Sequence, residues 1–159
     1  MPDVFAPALK ARLQSDLTEA IRSRDELHVA TLRMALTAVR SEEVAGTVAR
    51  ELTDTEVQTV LGREAKKRRE AATAFDGAAR PEKADRERAE LAVLQTYLPA
   101  QLSDDDLVAL VAQEVAAASA SGATGMPAMG RVMKAVTPRV AGRAEGGRVA
   151  AEVRRQLAG

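Results

Sequence analysis

The chain contains no cysteine, which excludes a disulfide framework, a thiolate nucleophile and any cysteine-ligated zinc or iron–sulfur site. Tryptophan is also absent, and the aromatics are Phe5, Phe75 and Tyr97 alone. Stacking of bases on an aromatic platform is therefore a poor binding mode for this chain, and its core has to be built from Leu, Val and Ala packed at close helix spacing. The single histidine, His28, lies between Leu27 and Val29. Catalysis or metal binding by histidine needs an orienting or co-ligating neighbour, and the sequence around it offers no such constellation. No apolar run approaches the roughly 20 residues needed to cross a bilayer, and the N-terminus lacks a basic segment leading into a long apolar one. These absences predict a soluble, cytoplasmic protein. An excess of one charge is missing as well: 23 Lys and Arg balance 23 Asp and Glu. That balance argues against a general polyanion binder and leaves local patches as the candidates.

What is present is helical periodicity. Across 159 residues, apolar side chains recur at three- and four-residue spacing, without a sustained alternating run, so the fold class expected is all-α. Leu9, Leu13, Leu17 and Ile21 mark a first helix opening after Pro7, and Leu32, Leu36 and Val39 a second that ends near Gly46. Thr53 and Glu56 read as a capping box for a third, with Val57, Val60, Leu61, Ala65, Ala72 and Phe75 as its stripe. Pro81 opens a fourth, whose apolar face is Leu91, Leu94 and Leu98. Pro99 disfavours helical geometry at Leu98 and interrupts the series. The boundary is therefore set there, with an N-terminal helical domain of about four helices over 1–98 and a C-terminal three-helix bundle over 99–159. In the second domain Ser103 caps a helix with Asp104, Asp105 and Asp106 in its first turn. Its stripe is Leu107, Leu110, Val111, Val115 and Ala118, and a small, flexible linker, 119–125, follows. Pro127 opens the next helix, with Met129, Val132, Met133 and Val136, and Pro138 closes it. Val149, Val153 and Leu157 mark the last.

Charge is unevenly placed along this frame. Residues 1–97 carry 16 basic and 17 acidic side chains, whereas 121–159 carry 7 basic and 2 acidic. Arg131, Lys134, Arg139, Arg143 and Arg148 are the candidate anion-binding residues, with Glu145 the one acid among them. Arg139 and Arg143, beside the first N–H groups of the last helix, could hold a phosphate. Gly142 to Gly147 is read as a helix–helix turn with Gly142 left-handed. It is not a phosphate loop, since it follows a helix and lacks the Gly-Lys-Ser/Thr ending. Arg63, Lys66, Lys67, Arg68 and Arg69 on the third helix are interleaved with Glu64 and Glu70 and wrap around the helix, which reads as a solvated surface. Asp104, Asp105 and Asp106 are consecutive, point in different directions and are explained by capping. No catalytic residue, metal ligand or cofactor site is assigned.

Several segments together carry a family resemblance. They are Arg33, Phe75 to Arg80, Glu87 and Glu90, Tyr97-Leu98-Pro99-Ala100-Gln101-Leu102-Ser103, Met129-Gly130 with Val132-Met133-Lys134, Pro138, and Gly142-Arg143-Ala144-Glu145-Gly146. In this order, over nearly the whole chain, the sequence resembles the GatB/YqeY family and looks like a free-standing YqeY-type member. Glu145 departs from the usual Asp, and Ala78-Ala79-Arg80 from Ala-Gly-Arg. The resemblance implies a tail domain similar to the C-terminal end of the GatB component of aspartyl/glutamyl-tRNA amidotransferase, and a family-level activity of carbon–nitrogen ligation with glutamine as amide donor. The chain has no counterpart of the kinase-like cradle or of the amidase component, so no catalysis is expected of it alone. The partner expected is tRNA, held through backbone phosphates by Arg131, Lys134, Arg139, Arg143 and Arg148. An amidotransferase or aminoacyl-tRNA synthetase is the partner in the alternative reading. There the chain is a protein-interaction adaptor docking through an apolar groove between its domains, with Met129 and Met133 as contacts if exposed, although such a stripe also suits a core.

Overall fold

The computed structural model describes residues 8–159, and in these the chain is helical throughout, with no strand. Pro7 and Phe5 lie outside the described residues. The chain divides into two compact units, one ending at Leu98 and the next beginning at Pro99.

The first unit holds four helices: α1 (Leu9–Ser23), α2 (Glu26–Glu43), α3 (Asp54–Gly77) and α4 (Pro81–Gln95). Local residue chemistry starts three of them. Asp25 accepts from the His28 N–H at 3.1 Å to open α2. The Thr53 hydroxyl accepts from the Glu56 N–H at 3.3 Å while the Thr53 N–H donates to the Glu56 carboxylate at 2.8 Å, a complete capping box for α3. Pro81 stands at the start of α4, where a missing N–H costs nothing. Asp54 also accepts from the Leu9 N–H at 2.9 Å, which fixes the start of α1 against the start of α3. α3 and α4 form the most extensive pair, and α1 and α2 the next. Leu13, Leu32, Val39, Val57, Leu61 and Leu94 are fully buried between them.

Two details of this unit differ from the sequence pattern. Ile21 is 49% exposed, and Ala20 occupies the buried position instead. A 100° step per residue carries the stripe past Leu17 onto Ala20, so Ile21 ends on the flank. α2 stops at Glu43, short of Gly46, because the Glu43 carbonyl is taken by the Arg50 N–H at 3.1 Å as the chain turns towards α3. At the end of the unit Tyr97 is buried, and its hydroxyl donates to Asp16 on α1 at 2.6 Å. The Arg12 guanidinium lies 4.7 Å from the ring centroid. Burial, and then the Asp16 carboxylate, raise the hydroxyl's pKa above its ordinary value, so it remains a donor.

The second unit contains α5 (Asp104–Ala120), a 3-10 turn (Met126–Ala128), α6 (Met129–Val140) and α7 (Gly146–Ala158). The Ser103 hydroxyl caps α5 by accepting from the Asp106 N–H at 3.1 Å. Each of the three helices touches the other two. Their shared core has Val111, Val132, Val136 and Val153 at its centre, and Val149 and Leu157 are buried beside them. Met129 and Met133 are partly buried and packed against this core.

Pro127 falls in the 3-10 turn and Pro138 lies inside α6, which runs on to Val140. The helix runs past Pro138 with Val140 still reaching the core, and at its end the last carbonyls find other donors. The Arg143 side chain donates to the Val140 and Arg139 carbonyls at 3.2 and 2.9 Å. Ala141 and Gly142 then adopt left-handed backbone, with φ of 48° and 76°, and reverse the chain. Glu145 is the N-cap of α7 but makes no side-chain capping bond.

The α3 capping box is pH-dependent. Hydrogen bonds from Arg50, and then from the Thr53 N–H, hold the Glu56 carboxyl down from its ordinary 4.5 to about 2. A depressed carboxyl contributes stability that is complete above 4.5, falls as pH drops through that window and is gone below about 2. Glu56→Gln should therefore lower the unfolding midpoint at pH 7 and leave it close to wild type at pH 2, measured by circular dichroism at both pH values.

Candidate nucleic-acid interface

The geometry of the basic residues follows from how α6 is seated. Val132, Val136 and Val140 face the core, and at 100° per residue Arg131 and Lys134 come to the opposite side, one turn apart. Both are exposed, and among the described residues neither has an ion-pair or hydrogen-bond partner. Gly130 stands beside them in the first turn. A Cβ added there would meet nothing within 4 Å, so packing does not require glycine. A bare backbone at this point permits close approach by a large ligand.

The other three candidates are engaged within the unit. The Arg139 guanidinium donates to Glu114 at 2.6 Å and to Gln113 at 2.8 Å, both on α5. Arg143 serves the α6 carbonyls described above. Arg148 donates to the Leu102 carbonyl at 3.0 Å and to Asp104 at 2.7 Å, while the Leu102 N–H donates to the Arg143 carbonyl at 2.7 Å. Arg143 and Arg148 thus hold the segment that leads into α5. The structure brings Arg131 and Lys134 together as unpaired charge, places Arg139 on their flank against Glu114 and Gln113, and gives Arg143 and Arg148 structural bonds.

The sequence does not single out the acids that engage them, since Glu114 is 25 positions from Arg139 and Asp104 is 44 from Arg148. A usable signal exists nonetheless. α5 carries Asp104, Asp105, Asp106 and Glu114 with no base, and α6 carries Arg131, Lys134 and Arg139 with no acid. Two adjacent helices of opposite charge will pair along their shared edge.

The basic ridge of α3 is largely neutralised, and it is solvated at Arg63, Lys66 and Lys67 but not at Arg68, which with Glu64 is largely buried, contrary to the expectation of a solvated surface throughout. Arg63 meets Glu42 at 3.4 Å, Lys66 meets Glu70 at 3.9 Å and Lys67 meets Glu64 at 2.7 Å. Arg68 sits among three carboxylates, at 3.0 Å from Glu90, 3.6 Å from Glu87 and 3.8 Å from Glu64. His28 does have a neighbour, contrary to the expectation of none: its Nδ1 is 2.8 Å from the Asp25 carboxylate. Both side chains are 44% exposed, and Asp25 is occupied in capping α2, so the pair belongs to a helix end. A shallow, open cleft lined by Glu42, Arg50, Leu52, Glu56, Thr59 and Arg63 has its arginines held by its own glutamates. Among the described residues no three His, Asp or Glu side chains are grouped so as to hold a metal ion, and no helix is long and apolar enough to cross a membrane.

These placements separate residues that support the fold from residues that do not. Arg131→Ala and Lys134→Ala should each change stability by no more than about 0.5 kcal/mol, and Arg143→Ala should cost about 1 kcal/mol by removing the side-chain donor to the Arg139 carbonyl, the Val140 carbonyl keeping the Arg143 N–H at 3.0 Å. Gly130→Ala should stabilise by roughly 0.5–1 kcal/mol. Urea unfolding of the four variants checks this order.

A comparison with curated proteins finds no match. A family model described as Yqey-like protein matches residues 10–157, nearly the full length and both units. The chain belongs to the YqeY-like protein family.

Proposed function

We propose that this chain is a tRNA-binding accessory factor related to tRNA-dependent amidotransferase, without catalysis of its own and acting in the cytoplasm. Residues 1–98 and 99–159 would be its two domains, the second a three-helix bundle that carries the RNA surface. The observation that supports the reading most is the outward face of α6, where Arg131 and Lys134 stand exposed and unpaired on a helix without acids. Charge of this kind favours a polyanion, and an exposed helix row suits successive phosphates along a backbone. The aromatics add little. Tyr97 is buried against Asp16 and Phe75 lies beneath the Lys83 ammonium at 5.5 Å, so recognition would be by shape and phosphate rather than by stacked bases.

The carbon–nitrogen ligase activity that goes with the family resemblance would be exerted by a partner, an amidotransferase or a synthetase, to which the bound tRNA is delivered. The adaptor reading is less favoured on one specific point: Met129 and Met133 pack against the core and so offer a protein partner little apolar surface.

Few contacts mean weak, salt-sensitive binding. With two phosphates neutralised, the logarithm of the binding constant should fall with the logarithm of salt concentration at a slope of about −2. Titration of the full chain with bulk tRNA should show that slope, and the Arg131→Ala, Lys134→Ala double variant should lose most of the affinity at low salt. Absence of binding at low salt, or binding unchanged in the double variant, would overturn the proposal.

A further inference from the structure

We infer that Glu114 masks Arg139 and so sets how many phosphates the α6 surface can neutralise, an inference that rests on the RNA-binding reading above. Arg139 lies eight residues from Arg131, about 80° around the helix, so it flanks the Arg131 and Lys134 row on the side towards α5. Its guanidinium is 43% exposed, while the Glu114 side chain beneath it is 18% exposed. An incoming phosphate can reach the guanidinium but meets a carboxylate already bonded to it at 2.6 Å. That carboxylate cancels the third positive charge of the helix and repels the ligand.

The arrangement is built so that charge, rather than geometry, is the variable. Gln113 holds the second terminal nitrogen of Arg139 at 2.8 Å, so the guanidinium keeps its place when the Glu114 charge is removed. A partly exposed pair of this kind is weak in water and weaker still with added salt. Glu114 thus keeps Arg139 out of the count without blocking the surface, and leaves Arg131 and Lys134 as the two charges a phosphate backbone meets on α6.

The test is a titration of bulk tRNA at several salt concentrations, using the full chain and five variants, Arg131→Ala among them. Glu114→Gln should bind roughly threefold tighter at low salt, with a slope steeper by about one, because one more phosphate is neutralised. Asp105→Asn removes the same charge from α5 at an exposed residue without an ion pair, and should leave the slope as in wild type. Arg139→Ala alone should change affinity little, and added to Glu114→Gln it should abolish the gain. The inference is overturned if Glu114→Gln and Asp105→Asn behave alike, if the gain survives loss of Arg139, or if Arg139→Ala weakens wild type as much as Arg131→Ala does. That last comparison does not depend on how Glu114→Gln folds. If wild type and every variant fail to bind at low salt, the RNA-binding reading falls and takes this inference with it. Binding that is intact but indifferent to Glu114 sinks the inference alone.

Discussion

Each helix in this protein has one narrow apolar stripe, and none of these stripes can hold its helix in water without another to cover it. The shortest, α6, has 12 residues and is marginal in isolation, and even for longer helices most stability in a protein comes from packing the apolar face. With so few aromatics, the stripes are made of Leu, Val and Ala, whose small volumes demand close approach of the helix axes. The fully buried residues of the second unit show this in its simplest form, since Val111, Val132, Val136 and Val153 meet at one centre. Everything else in each unit is arranged around that need, including which side chains are left facing outward.

Charge is arranged by the same packing. In the first unit, cations and anions alternate along α3 and α4 and neutralise one another at short range, as around Arg68. In the second, helices of opposite sign lie side by side. Pairing between these helices falls along the shared edge of α5 and α6, where Glu114 reaches Arg139, and at the start of α5, where Asp104 reaches Arg148, while α7 pairs Arg155 with its own Glu152. The side of α6 that faces away from the core is beyond the reach of α5. Arg131 and Lys134 keep their charge because their helix is oriented by its valines.

Local features of this fold are plain in the sequence. The Thr53 and Glu56 box, the Ser103 cap, Pro81 at a helix start, the Val149, Val153 and Leu157 stripe and the left-handed Gly142 all depend on residues within a turn or two. What is not legible is decided at longer range. Pro138 suggests the end of a helix, but Val140 and the Arg143 side chain carry α6 beyond it. Ile21 continues a run of apolar spacing yet points outward, since the drift of 3.6 residues per turn favours Ala20. The five basic residues of the C-terminal stretch look equivalent on paper. Their division into two unpaired, one paired with Glu114 and two structural depends in large part on Glu114, Asp104 and Leu102, which only folding brings near.

The central claim is that the outward face of α6 is where a phosphate backbone meets this protein. Amide hydrogen exchange on the full chain, with and without saturating tRNA at low salt, tests it most directly. The account predicts slowed exchange concentrated over residues 130–138, with α1 and α2 unchanged. Protection that leaves α6 untouched while other helices slow, or no protection anywhere, would contradict it.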